Sequence, residues 1–162
     1  MAKTPQDQLR VYLKDAHALE QMSLQMTQAA AKASKDPELR RLFEHHHEET
    51  QEHERLIRER IEAHGDKTST IKDMGARMAA MAKGMAATVP ADTPGRLVRD
   101  GYVQEHTEVA SYELLERVAT QAGDTETADV ARRISDNERE TADKLAGTWD
   151  RAAQLSLRGT AS

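Results

Sequence analysis

The chain has 162 residues, a formal net charge of −5, 31% charged and only 3% aromatic residues, and no cysteine. This length is enough for one domain around one core, and the lack of cysteine excludes disulfides, zinc–thiolate sites and cysteine nucleophiles. Basic residues are scattered along an acidic chain, which argues against nucleic acid as a partner. No signal segment or membrane-spanning stretch is evident, so the cytoplasm is the expected location.

Capping residues and prolines divide the chain into four long helices. A capping residue followed by a proline is expected to begin three of them, at Thr4-Pro5, Asp36-Pro37 and Thr93-Pro94. Gly65 and Gly123 stand where helices are expected to stop, and Asp124 is expected to cap the next helix. The predicted long helices cover residues 5–33, 37–64, 94–122 and 125–156. A shorter helix is predicted at about 70–87, and residues 157–162 are expected to form a loose tail.

The lengths of the predicted connections indicate the topology. The first and last loops are only a few residues long, so each flanking pair of helices should be antiparallel. The connection between the second and third long helices is long and carries the short helix. Two helical hairpins joined by one crossover is the topology of ferritin-like four-helix bundles. We therefore predict an all-α, ferritin-like bundle that forms a single domain over residues 1–162.

Each long helix has apolar residues near its ends and polar residues near the middle of its predicted inward face. On a seven-residue grid the second helix presents Leu39, Leu42, His46, Glu49, His53 and Leu56. Among the consecutive histidines 45–47, the middle one is then the inward residue, because neighbours on a helix are rotated by about 100°. The same grid places Glu20 on the first helix, Glu105 and Glu108 on the third, and Glu138 on the fourth.

Glutamates at the centre of a core predict a metal site. A carboxylate buried alone is costly, and four of them would repel one another without cations. Di-iron and di-manganese bundles use one Glu from each of two helices and a Glu/His pair at spacing three from each of the other two. The predicted ligands of two iron or manganese ions are Glu20, His46, Glu49, Glu105, Glu108 and Glu138.

Several alternatives stay open at this stage. His53 lies four residues after Glu49 and is an alternative ligand to His46, and His17 lies three residues before Glu20 and is a candidate ligand or support. Tyr112 either donates to a metal-bound carboxylate or fills the core. If the chain binds no metal, these polar positions belong to a structural bundle with a polar core. The methionines at 74, 78, 81 and 85 form a further stripe. Packing of the short helix against the bundle is the preferred interpretation of this stripe, and a soft-metal site is the alternative.

Four segments together resemble a known family. They are "KDAHALEQ" in the first helix, "FEHHHEET" in the second, "QEHTEVASY" in the third and "DNERETADKL" in the fourth. The chain resembles the YciF/YciE-type ferritin-like stress proteins of bacteria over about residues 8–150. The resemblance implies a rubrerythrin-like or ferritin-like di-metal bundle, a homodimer rather than a storage cage, and the same six ligands. It departs at His17, where an aromatic residue is more usual, and at His53, where an amide is common.

Two functions follow as expectations. In the first, a ferrous pair reacts with oxygen or peroxide in a stress response, as in a di-iron oxidase, ferroxidase or peroxidase-like enzyme. Since the chain has no cysteine, an external electron donor would then be needed. In the second, the ions are structural and the protein is a non-catalytic stress-induced interaction module. The sequence assigns no catalytic residue.

Overall fold

A computed structural model describes residues 4–66 and 93–158 of the chain. Within these ranges it contains helices and no strand: α1 (Pro5–Ala33), α2 (Pro37–Ala63), α3 (Pro94–Gln121), α4 (Thr125–Ala146) and α5 (Trp149–Arg158). The all-α prediction is confirmed, and the first three long helices end within one residue of the predicted bounds. The predicted short helix at 70–87 and its methionine stripe lie outside the described residues.

The helix starts follow the capping residues read from the sequence. The side chains of Thr4, Asp36, Thr93 and Asp124 each accept hydrogen bonds from backbone amides in the first turn of the helix that follows. Thr4 and Asp7 form a reciprocal capping box. Gly65 and Gly123 adopt φ values of +79° and +77°, a left-handed conformation that glycine adopts without steric cost.

Two apolar clusters lie at opposite ends of the bundle and fix its topology. The first joins the start of α1 and the end of α2 to the end of α3 and the start of α4. The second joins the end of α1 and the start of α2 to the start of α3 and the end of α4. α2 and α3 therefore run parallel, so the connection from Ala63 to Pro94 joins opposite ends of the bundle. This is the single-crossover, ferritin-like arrangement that was predicted.

The predicted fourth helix is divided into two. α4 ends at Ala146, and α5 begins at Trp149. Gly147 has low helix propensity, and the Thr148 hydroxyl donates to the Leu145 carbonyl at 2.8 Å, in competition with regular helical bonding. α5 then packs on α3, where the Gly95 amide donates to the Ser156 hydroxyl at 2.9 Å.

The hydropathy of the helices bears on membrane insertion. In the two described segments of the chain, no helix combines the length and the apolar composition needed to span a bilayer. The cytoplasmic location expected from the sequence stays a prediction.

Candidate metal centre

Polar side chains fill the middle of the bundle between the two apolar clusters. The glutamates at 20, 105, 108 and 138 have at most 1% of their surface exposed. They come from α1, α3, α3 and α4, and α2 adds the buried side chains of His46 and His53. Spacings of three residues between Glu105 and Glu108 and of seven between His46 and His53 keep these groups on the inward face of their helices. The structure thus gathers ionisable groups from four helices at one level.

Two sets of donor atoms in this region share a residue. The first set is His46, Glu105, Glu108 and Glu138, and the second is Glu20, His53 and Glu138. Within each set, one donor atom from every residue lies within 4.8 Å of the others. Glu138 belongs to both sets, so its carboxylate stands between two candidate cation positions.

Histidine–glutamate contacts tie α2 to α3 and α4. His46 Nε2 lies 2.9 Å from Glu105 Oε1, an ion-pair distance, although the two atoms are not aligned for a hydrogen bond. His53 Nδ1 is hydrogen-bonded to Glu138 Oε1 at 2.8 Å. Two histidines of α2 therefore each contact one buried carboxylate, one on α3 and one on α4.

Hydroxyl groups orient the other two carboxylates. The hydroxyl of Tyr112, a fully buried residue, donates to Glu20 Oε1. Tyr112 thus fills the core and also contacts a candidate ligand, while its role beside a metal-bound carboxylate stays a prediction. The Ser23 hydroxyl donates a long hydrogen bond of 3.5 Å to Glu108 Oε2. Such hydrogen bonds around a metal site fix the orientation of the ligands.

Burial and mutual repulsion shift the titration of the cluster. Burial, followed by repulsion from neighbouring carboxylates, raises the pKa values of Glu20 and Glu108 well above the usual range. Burial also raises the pKa of Glu105 to about 8, against the opposing effect of His46. For His46 burial lowers the pKa, but the adjacent carboxylates of Glu105 and Glu49 outweigh it and raise the pKa to about 10. Glu20, Glu105 and Glu108 thus retain protons at neutral pH in the absence of another cation.

The cluster contains buried donor atoms without hydrogen-bond partners. Within the described part of the chain these include Glu20 Oε2, Glu105 Oε2, Glu108 Oε1, Glu138 Oε2 and both ring nitrogens of His46. Unpaired buried polar atoms are costly and rare. Since each of the four carboxylates keeps one oxygen without a partner, the donor set could hold a metal ion.

The six predicted ligands do not all lie in the cluster. Five of them do, whereas Glu49 lies at its edge with 20% of its side chain exposed. There its Oε1 is 3.2 Å from His45 Nε2, and its Oε2 accepts a 3.3 Å hydrogen bond from the Thr141 hydroxyl. Whether Glu49 is a ligand stays a prediction.

The two histidines named as alternatives are placed differently. His53 lies inside the cluster through Glu138. His17 is buried, but its Nε2 is 3.0 Å from Glu54 Oε1, outside both donor sets. The sequence analysis did not single out Ser23 and Gln104. The available signal was their position in the chain, three residues after Glu20 and directly before Glu105.

The buried face of α2 differs from the predicted inward face by a rotation about the helix axis. The buried residues of α2 include Phe43, His46, Thr50, His53 and Ile57, whereas Leu42 and Leu56 of the predicted stripe are only half-buried. At about 100° per residue, Glu49 lies roughly 90° from the centre of this buried face. That rotation explains its edge position.

Comparisons with known proteins agree with the fold. A crystal structure of protein XCC3681 from Xanthomonas campestris pv. campestris is 26% identical, with a TM-score of 0.77 over 95% of this chain and 96% of that chain. The crystal structure of the Escherichia coli stress protein YciF is 23% identical, with a TM-score of 0.77 over 94% of this chain and 99% of that chain.

The sequence also matches a family model over most of its length. Residues 4–157 match the family described as a domain of unknown function, DUF892. Together with the structural likeness to YciF, this match confirms the predicted resemblance. The chain belongs to the DUF892 family, as a YciF-type helical bundle.

Proposed function

We propose that this protein binds two iron or manganese ions in the mid-bundle cluster and uses them in a redox reaction with oxygen or peroxide. The proposal rests on Glu138, which belongs to both sets of donor atoms. The two sets have no other residue in common. A carboxylate placed between two cation positions is suited to bridge a metal pair.

The charge of the cluster supports two divalent ions. When ionised, the carboxylates of Glu20, Glu105, Glu108 and Glu138 carry four negative charges, which two divalent cations would neutralise. Burying these charges without such partners is costly. Carboxylates favour hard ions such as manganese, and imidazoles suit iron, so the mixed donor set favours these two metals.

The two sets differ in the number of donors. His46, Glu105, Glu108 and Glu138 supply four residues to one position, whereas Glu20, His53 and Glu138 supply three to the other. The second position therefore has one protein donor residue fewer than the first. There Tyr112 holds Glu20 in place through its hydroxyl, and His53 is held against Glu138.

The proposed chemistry needs an external reductant. A bound ferrous pair supplies two electrons, enough to reduce one dioxygen to hydrogen peroxide or one hydrogen peroxide to two waters, with uptake of two protons in either case. The chain contains no cysteine, so its own thiols cannot return the electrons. The two protons taken up in either reaction come from the solvent.

Metal stoichiometry tests the shared carboxylate. We expect about two ions per chain by elemental analysis after anaerobic iron loading. Glu138→Gln should weaken both positions, and His53→Ala should affect one, because only Glu138 belongs to both sets. His45→Ala serves as a control on the exposed side of α2. A wild-type protein that binds no iron, or a Glu138→Gln variant that retains both ions, would contradict the proposal.

A structural role for the metals is the second candidate. All residues of both donor sets have at most 4% of their surface exposed, which also suits ions that never meet a substrate. Mixing anaerobically iron-loaded protein with oxygen or peroxide separates the two functions. Oxidant consumption with a change in the optical spectrum supports redox chemistry. Tightly held metal without either change favours the structural role. The homodimer implied by the resemblance stays a prediction.

A further inference from the structure

A small cavity adjoins the metal cluster between α1, α2 and α3. Its volume is about 40 Å³, and His46 and Glu105 form the wall that it shares with the cluster. A single water needs roughly 10–15 Å³ of such space, so the cavity has room for two or three water-sized molecules. It therefore accepts a diatomic molecule but no larger organic substrate.

Most of the cavity wall is apolar. Met26 and Ala30 come from α1, Phe43 from α2, and Leu97 and Gly101 from α3, and the polar side chains of the wall are Thr27, His46, Gln104 and Glu105. At Gly101 an added Cβ would lie 3.2 Å from the Phe43 ring and 3.3 Å from Leu145, so the absence of a side chain there leaves the wall open. Apolar wall surfaces of this kind favour apolar guests such as xenon.

One polar group in the wall has an unused donor. Gln104 is only 8% exposed, and its Nε2 has no hydrogen-bond acceptor at suitable geometry among the residues that the structure describes. Its amide approaches Glu108 without aligned hydrogen bonding. A buried donor without a partner is costly, and Gln104 lines the cavity together with His46 and Glu105.

We infer that this cavity receives dioxygen, and hence that oxygen rather than peroxide is the oxidant of the proposed redox site. Dioxygen is small and apolar and needs no hydrogen bond from the wall. Hydrogen peroxide carries two donors and several acceptor sites, which apolar walls leave unpaired at a cost. The inference rests on the proposed function and adds the identity and the binding place of the oxidant.

Xenon-pressurised crystals of metal-loaded protein test the cavity directly. We expect one xenon atom between Ala30, Phe43 and Gly101 in the wild-type protein. Ala30→Val adds two methyl groups to the wall and should abolish the xenon site. Ala31→Val is the matched control, because Ala31 belongs to the same apolar cluster but not to the cavity wall. An empty cavity in wild-type crystals under xenon would overturn the inference, whether or not the variants fold.

Oxidation kinetics then test the oxidant. With iron stoichiometry unchanged, Ala30→Val should slow oxidation by dissolved oxygen at least tenfold, and Ala31→Val should not. Oxygen oxidising the Ala30→Val variant at the wild-type rate, or wild-type protein reacting with peroxide but not with oxygen, would overturn the inference. Failure of the wild-type protein to bind iron would instead contradict the proposed function, and the xenon experiment would still report on the cavity.

Discussion

Three consecutive histidines on α2 occupy very different environments. The side chain of His45 is 55% exposed, whereas that of His46 is 3% exposed. His47 Nδ1 is hydrogen-bonded to the Thr27 hydroxyl at 2.9 Å, and its other ring nitrogen lies 3.1 Å from the Gln51 amide. Since each step along a helix turns by about 100°, only one member of the triplet reaches the cluster.

The histidine triplet gives the first residue-scale prediction. His46→Ala should lower the affinity for metal at least tenfold, because it removes a donor of the four-residue set. His45→Ala and His47→Ala should leave the affinity unchanged within about twofold. Competition with a metal chelator measures the affinity, and circular dichroism checks that all three variants fold. Equal losses in the three variants would show that the burial of His46 is irrelevant to binding.

Tyr112 gives the second residue-scale prediction. Tyr112→Phe keeps the ring in the core but removes the hydroxyl that donates to Glu20. Mutation of such outer partners typically costs about 10–100-fold in metal affinity, and we expect a loss in that range at the position held by Glu20. Tyr102→Phe, whose ring packs on His106 and Trp149, is the control. Wild-type affinity in Tyr112→Phe would show that Tyr112 serves packing alone.

At the scale of elements, Asp124 joins the end of α2 to the start of α4. Its carboxylate accepts from the Thr127 amide at 3.0 Å, lies 3.3 Å from Arg60 and lies 2.8 Å from His64 Nε2. Burial opposes ionisation, but these hydrogen bonds and charges lower the pKa of Asp124 to about 2. One side chain thus caps a helix and holds the two hairpins together at the same end.

Replacement of this cap should destabilise the bundle without affecting the metal site. Loss of an N-cap costs about 1–2 kcal/mol, so Asp124→Ala should lower the Tm by roughly 2–8 °C in a chain of this size. Calorimetry measures the change in the metal-free protein. Asp129→Ala, which removes an exposed partner of Arg132 on the same helix, should change stability by less than about 0.5 kcal/mol. Equal effects of the two variants would contradict the role of the cap.

At the scale of the whole molecule, the buried cluster makes metal-free stability depend on pH. Glu20, Glu105 and Glu108 have pKa values raised above the unfolded value near 4.5, to about 8 for Glu105. Above about pH 4.5 the folded protein therefore binds more protons than the unfolded chain, and the free energy of unfolding falls as pH rises. His46, with a pKa of about 10, contributes stability below pH 6.5 that is lost as pH rises through 10.

We therefore expect the metal-free protein to be more stable near pH 5 than near pH 8. The lowered pKa values of Glu138 and Asp124 affect stability only below about pH 4.5, outside this window. Bound metal stabilises the fold by about 2.7 kcal/mol when its free concentration is a hundredfold above the Kd. Since protons compete for the same oxygens, the Tm difference between metal-loaded and metal-free protein should narrow from pH 8 to pH 5.

A charge-removing variant is the matched control for this pH dependence. Joint replacement of Glu20, Glu105 and Glu138 by Gln should raise the stability of the metal-free protein near pH 8 and remove the response to metal. Repulsion and ligands disappear together in this variant. Calorimetry across pH measures both effects. A Tm difference that is independent of pH, with the Gln variant equal to the wild type, would show that these glutamates do not bind the metal.

Local signals in the sequence determined the helix bounds and much of the buried face. Capping residues and prolines act within one turn, so Thr4, Asp36, Thr93 and Asp124 mark the helix starts correctly. Buried glutamates also follow from helical periodicity, because Glu20, Glu105, Glu108 and Glu138 fall among the apolar residues of their stripes. The break at Gly147 was missed, because an isolated glycine is often tolerated within a helix.

Only the tertiary structure decided which of these groups meet. Helical periodicity predicted the rotation of α2 about its axis only to within a fraction of a turn. Packing of Phe43 and Ile57 into the two apolar clusters fixes that rotation. That rotation moves Glu49 to the edge and brings His53 to Glu138. The sharing of Glu138, the donation from Tyr112 and the cavity beside His46 depend on distances between helices. Such distances arise from side-chain packing between segments far apart in the chain, which no local pattern encodes.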